Sequence, residues 1–140
     1  GVRLYDYACT SEFRGADGED MCGIGTFCHE FGHVLGLPDL YVTNYESNHN
    51  TPSRWDIMDQ GPYNNNSKTP PSYSAYERFF MGWLTPTPLQ QTKNNIALGE
   101  LQSTNQSYLY CADGEHNLNG ENPSPSQFYL FENRQKVGWR

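Results

Sequence analysis

The sequence has no long apolar run: its hydrophobic residues come in groups of a few, far short of the roughly 20 that a membrane-spanning helix needs. The first residues show neither a basic n-region nor an apolar h-region. Positive charge is also scarce. Nine Lys and Arg against 16 Asp and Glu give a net charge of −7 and a pI near 4.9. That field has the wrong sign for phosphate, and the few cations are scattered, which excludes a nucleic-acid binder. Four cysteines in 140 residues are too few for a disulfide scaffold, and the absence of a C-x-x-C pair removes a cysteine-based zinc site.

Turn formers are abundant instead. Gly 13, Pro 9 and 13 Asn make up a quarter of the chain, so loops must carry much of it. Tyr 10, Phe 7 and Trp 3 supply large buried area per residue, and the chain reads as one globular unit rather than as disordered.

Residues Gly1 to Phe13, with Val2, Leu4, Tyr5, Tyr7 and Ala8, read as a strand or extended rim. Ile24, Phe27, Phe31, Val34 and Leu35 recur at helical spacing and predict a helix over 24–35. Gly36 suits its C-terminal stop, and Pro38 forbids continuation. Residues 39–68 show no sustained periodicity, and a stretch that long in a compact domain is usually functional. Ser74 and Glu77 match a capping box for a second helix over 73–81, ended by Gly82 and Pro86, with Tyr73, Tyr76, Phe79 and Phe80 as its core residues. Ile96 to Leu101, Ser107 to Cys111 and Gln127 to Glu132 read as an antiparallel meander. The expected class is α+β, with a catalytic region over 1–90 and a β-rich segment over 91–140.

His29, Glu30 and His33 form an H-E-x-x-H motif within the first helix. Residues i and i+4 share a helix face, so both imidazoles can address one ion. Glu30, rotated about 100 degrees from His29, can reach a water on that ion without ligating it. Gly36 lets the chain turn sharply, and Asp39 can bring a carboxylate back as third ligand, leaving one position open for water. Cys28 faces another side of the helix and is expected to be a buried thiol or half of a bridge with Cys9 or Cys22. With Cys111, the four cysteines allow three pairings. Met58 beside Ile57 and Trp55 is ordinarily core filler. The acidic group Asp17, Glu19 and Asp20 reads as a solvated loop, and Asn64 to Asn66 as a turn.

The stretch H-E-F-G-H-V-L-G-L-P-D from His29 to Asp39 resembles the metzincin metallopeptidases, whose pattern is H-E-x-x-H-x-x-G-x-x-H or D. Trp55-Asp56-Ile57-Met58-Asp59-Gln60-Gly61 looks like their Met-turn. Together with Tyr41, Met81-Gly82-Trp83-Leu84 and Phe131-Glu132-Asn133-Arg134-Gln135, these motifs resemble the secreted bacterial immune-inhibitor-A family over roughly residues 5 to 140. The resemblance implies a metzincin-like zincin core and peptide-bond hydrolysis in protein substrates, in a secreted or envelope-exposed protein. It further implies one Zn²⁺ on His29, His33 and Asp39, Glu30 as general base and Met58 as a structural floor. Tyr63 is a candidate oxyanion donor. Thr43 replaces the family's acidic residue after the P-D-x-Y phrase, which leaves calcium possible but unsupported. Only residues 1–28 precede the motif, too few for the strands and backing helix of a metzincin domain, so a fragment is expected. Two other readings fit the residues: a binding or surface module that keeps a structural zinc, and a relative hydrolysing a non-peptide amide.

Overall fold

The computed structural model describes residues 1–15, 18–44, 49–90 and 95–136. It forms two compact units, Gly1–Ser72 and a second beginning at Tyr73. The sequence places a divide near residue 90; the packing divides earlier, because the second helix groups with the trailing strands. Both units mix short helices with small sheets. No helix among the described residues is long and apolar enough to cross a membrane.

In the first unit, β1 (Phe13–Arg14) and β2 (Asp20–Met21) form a short antiparallel hairpin. The amide of Cys22 extends it by donating to the Glu12 carbonyl at 2.7 Å. The expected strand over residues 1–13 is absent apart from Phe13. Val2 and Leu4 are 94% and 89% exposed: β-forming side chains do not hold a strand without a ladder partner and a surface to cover.

Helix α1 (Ile24–Val34) follows the predicted span closely. It ends in a Schellman turn, in which the Leu37 amide donates to Gly32 O at 3.0 Å and the Gly36 amide to His33 O at 2.9 Å. Gly36 takes φ +93°, which glycine adopts without a Cβ clash. The apolar period that revealed the helix does not mark its buried face. Ile24, Phe27 and Phe31 are 50%, 44% and 43% exposed, while Gly25 and Gly32 are buried. The helix packs through its glycines. A Cβ on Gly25 would lie 2.0 Å from the Pro62 carbonyl oxygen, and the Gly25 amide donates to Ser67 O at 2.8 Å.

That contact seats α1 on the irregular segment 52–68, which contains two single 3-10 turns, Ser53–Trp55 and Gly61–Tyr63. Asp56, Ile57, Met58 and Asp59 are all buried there. The Asp56 carboxylate accepts the Met58 amide at 2.8 Å, and Asp59 accepts the Ser53 amide. Buried carboxylates bonded to backbone N–H groups hold a loop in one conformation without a regular ladder.

In the second unit, α2 (Ala75–Phe80) carries the capping box expected of Ser74 and Glu77. Glu132 accepts the Ala75 amide at 2.6 Å, so a residue distant in sequence completes the cap. Phe79 is buried as expected and joins Ala75, Leu84, Leu101 and Leu109 in the core, whereas Tyr76 points outward, 39% exposed. The sheet has the order β3 (Thr87–Pro88), β4 (Tyr108–Tyr110), β5 (Tyr129–Phe131). The last pair is antiparallel, as the meander requires, with Leu109 opposite Leu130. The first pair is parallel, a pairing that the local sequence pattern does not predict. Residues 96–101 are no strand. Glu100 instead caps a short helix, α3 (Leu101–Thr104), by accepting the amides of Gln102 and Ser103, and fully buried Leu101 anchors it.

Replacing Gly25 by Ala improves intrinsic helix propensity but forces a Cβ into the Pro62 carbonyl. We expect the clash to dominate at about 1–3 kcal/mol, lowering the thermal midpoint; an unchanged or raised midpoint would contradict this packing.

Candidate metal centre

Helix α1 places His29 and His33 one turn apart, with ring centroids 4.8 Å apart and nearly perpendicular planes. Each ring is aimed by a backbone carbonyl. His29 Nδ1 lies 2.8 Å from Ile57 O, and His33 Nδ1 lies 2.8 Å from Leu37 O. Facing an oxygen acceptor, each Nδ1 must carry its proton, so a neutral ring presents a lone pair at Nε2. The Schellman turn thus ends the helix and also supplies the Leu37 carbonyl that orients His33.

Both Nε2 atoms converge on Asp39. Its Oδ1 lies 3.2 Å from His29 Nε2 and 3.3 Å from His33 Nε2. That oxygen is shielded from solvent and has no hydrogen-bond partner. Two imidazole Nε2 atoms grouped around one carboxylate oxygen are the arrangement of donors that a shared cation would occupy. The spacing agrees: ligands at about 2.0–2.1 Å from tetrahedral zinc lie about 3.3 Å apart. His29, His33 and Asp39 form the one group of His, Cys, Asp or Glu side chains among the described residues that could hold a metal, with all ligand atoms within 4.8 Å of one another. The donor set fits Zn²⁺, as two imidazoles and one carboxylate are a common catalytic combination.

The segment after Gly36 is tied to the buried 56–59 segment. The Leu40 amide donates to Met58 O at 2.8 Å, which fixes the chain immediately after Asp39. Met58 has no exposed surface. Ile57 O holds His29 and Met58 O holds Leu40, so successive carbonyls of one loop orient two parts of the centre.

Glu30 is partly buried and, with His29, lines a cleft of about 610 Å³, together with Thr26, Tyr41, Val42, Thr51, Asp59, Gln60, Pro62 and Tyr63. A carboxylate there can exchange a proton with a water or substrate in the cleft. Tyr63 is 56% exposed. Tyr41, within the P-D-L-Y phrase, also borders this site. Its ring stacks on His29 at 6.4 Å between centroids. A hydrogen bond to the Asp39 carboxylate raises its pKa, with burial and nearby negative charge adding to the effect.

Other candidate residues stand apart. All four cysteines are thiols, with no disulfide formed. Burial pushes the Cys28 thiol up, which disfavours a thiolate ligand. Glu19, Asp20 and Thr43 are exposed, and Asp17 lies outside the described residues.

The catalytic-domain model of the immune inhibitor A peptidase M6 family matches residues 5–84. Immune inhibitor A of Bacillus thuringiensis subsp. alesti is 29% identical over 92 residues, covering 60% of this chain and 13% of that protein. Pre-pro-metalloprotease PrtV of Vibrio cholerae serotype O1 (strain M66-2) is 36% identical over 59 residues, 41% of this chain and 6% of that protein. The chain therefore spans a small part of the length of these curated relatives. No solved structure matches significantly. With more than half of the chain matched, including the stretch that carries His29, Glu30, His33, Asp39 and Met58, the chain belongs to the immune inhibitor A peptidase M6 family.

Proposed function

We propose that this chain is the active-site portion of a metzincin-type zinc endopeptidase, with His29, His33 and Asp39 as metal ligands and Glu30 as general base. The observation that carries this reading is the convergence of the Nε2 atoms of His29 and His33 on one solvent-shielded carboxylate oxygen of Asp39. Family membership supports it, as does the word metalloprotease in the name of the Vibrio relative. Export to the cell envelope or medium is part of the proposal, and the designation "pre-pro" of that relative supports it.

Zn²⁺ held by His29, His33 and Asp39 would supply an acidified bound water and a Lewis acid for the scissile carbonyl. The Glu30 carboxylate, facing the cleft beside His29, takes a proton from water and returns it to the leaving amine. The Ile57 and Leu37 carbonyls keep both imidazoles in the tautomer whose Nε2 faces the centre. Tyr63, in the same cleft, can donate its phenol to the developing oxyanion. Met58 serves as structural floor: its side chain is buried and its carbonyl holds Leu40. An extended polypeptide is the substrate class.

Added Zn²⁺ is expected to raise the unfolding midpoint, by about 2.7 kcal/mol of stabilisation at 100 times the dissociation constant. His33→Ala should abolish that shift in a thermal melt. Glu30→Ala should retain the zinc shift while losing cleavage of a fluorogenic peptide library by roughly 10²-fold or more; full activity in that variant would sink the assignment. Chelator-induced unfolding without any cleavage by the wild type would favour a structural zinc in a binding module. X-ray absorption at the zinc edge should show two imidazoles and a carboxylate oxygen, and two imidazoles with waters alone would remove Asp39 from the ligand set.

A further inference from the structure

The cleft beside the proposed metal centre carries a carboxylate that the hydrolytic step does not use. Asp59 lines this cleft with Glu30, yet the residue is 2% exposed. Asp56 is buried as well, but it is not among the residues that line the cleft, and its carboxylate is taken by the Met58 amide. Asp59 gives Oδ2 to the Ser53 amide and forms no ion pair among the described residues. A buried carboxylate is costly unless a counter-charge or several donors compensate it, and a single neutral N–H does so in part. The cleft itself supplies no counter-charge: no Lys or Arg lines it among the described residues. A divalent ion on His29, His33 and Asp39 would be offset by the Asp39 carboxylate and by Glu30, so the charge of Asp59 remains. Tyr41, Val42, Pro62 and Tyr63 add aromatic and aliphatic surface to the same wall. Along such a surface the methylene stem of a long cation can lie while its head reaches a carboxylate.

We infer that Asp59 is the specificity-determining residue of this cleft, and that the substrate is a polypeptide carrying Lys or Arg beside the scissile bond. This inference rests on the peptidase reading above and narrows its substrate class. The ammonium or guanidinium head supplies the charge partner that the buried carboxylate lacks. A neutral side chain of similar length fills the cleft but leaves the carboxylate unpaired, and an acidic one sets like charges together. Discrimination therefore comes from the penalty on the wrong residue. The net charge of −7 also attracts cations, but that field acts on the whole substrate and is screened by salt. A carboxylate in the cleft acts at one position of the peptide.

Matched fluorogenic peptides with Lys, Arg, norleucine or Glu beside the cleaved bond test this, together with a peptide of the same net charge whose lysine stands several residues away. With zinc present, kcat/KM of the wild type should be roughly 10-fold or more higher for the Lys and Arg peptides than for norleucine, and lowest for Glu. The displaced lysine should not reproduce the preference at high salt. Asp59→Asn should bring the ratio of Lys to norleucine down toward one. Because Asp59 also holds the Ser53 amide, the zinc-induced rise in the unfolding midpoint checks that this variant keeps its metal centre. Gln60→Lys, at an exposed position of the same cleft, brings an ammonium next to Asp59 without removing the Ser53 bond, and it should lower the ratio too. Three results would overturn the inference and leave the peptidase reading standing: equal rates for the Lys, norleucine and Glu peptides, a preference that the displaced lysine shares, or a preference that survives in zinc-binding Asp59→Asn or in Gln60→Lys. A wild-type protein that binds zinc and cleaves none of the peptides would overturn both.

Discussion

The hydrogen bonds from two imidazole Nδ1 atoms to backbone carbonyls are the constraint on which the rest of the first unit depends. A histidine on an exposed helix face has two ring nitrogens, two tautomers and free rotation about its side-chain torsions. The Leu37 and Ile57 carbonyls remove that freedom and leave both Nε2 lone pairs facing Asp39. To bring those carbonyls into place, α1 must stop sharply at Gly36, and the loop containing Ile57 must approach the helix closely enough to meet its backbone. Gly25, buried against Pro62 and Ser67, makes that approach possible.

The sequence made much of the candidate site legible because helical geometry alone places His29 and His33 on one face and Glu30 beside them. The turn at Gly36 was equally readable, since a left-handed residue followed by Pro38 has few alternatives. What stayed hidden was the means of orientation. Backbone carbonyls leave no residue-type signature, so neither tether could be read from sequence. The face of α1 was misleading for a related reason. Periodicity marks where apolar side chains lie, not which face another segment covers, and here the covered face is the one with no side chains at its glycines.

In the second unit, local signals served well where a local bond decides the structure. The Ser74–Glu77 box is such a case. Strand pairing is decided by partners far apart in sequence, and there the reading was incomplete. Thr87 and Pro88 carry no strong strand signal, yet they pair with β4 because Thr87 and Leu89 can donate across while the missing N–H of Pro88 faces away from the ladder. Leu101 showed apolar character, but Glu100 has the side chain to cap a helix turn, and that local bond prevailed over an extended conformation.

The placement of the two tethers has a consequence for assembly. All three proposed ligands lie between residues 29 and 39, and the His33 tether comes from within the same stretch. Closing so short a segment costs little chain entropy, so most of the centre can form from local contacts alone. The non-local ties both come from one loop: the Ile57 carbonyl holds His29 from 28 residues away, and the Met58 carbonyl holds Leu40 beside Asp39. Metal affinity at the proposed centre would therefore report one non-local event, the docking of the Met58 segment onto the helix. A cation that strengthens the local cluster draws that loop, and the cleft wall it forms, into the folded state with it.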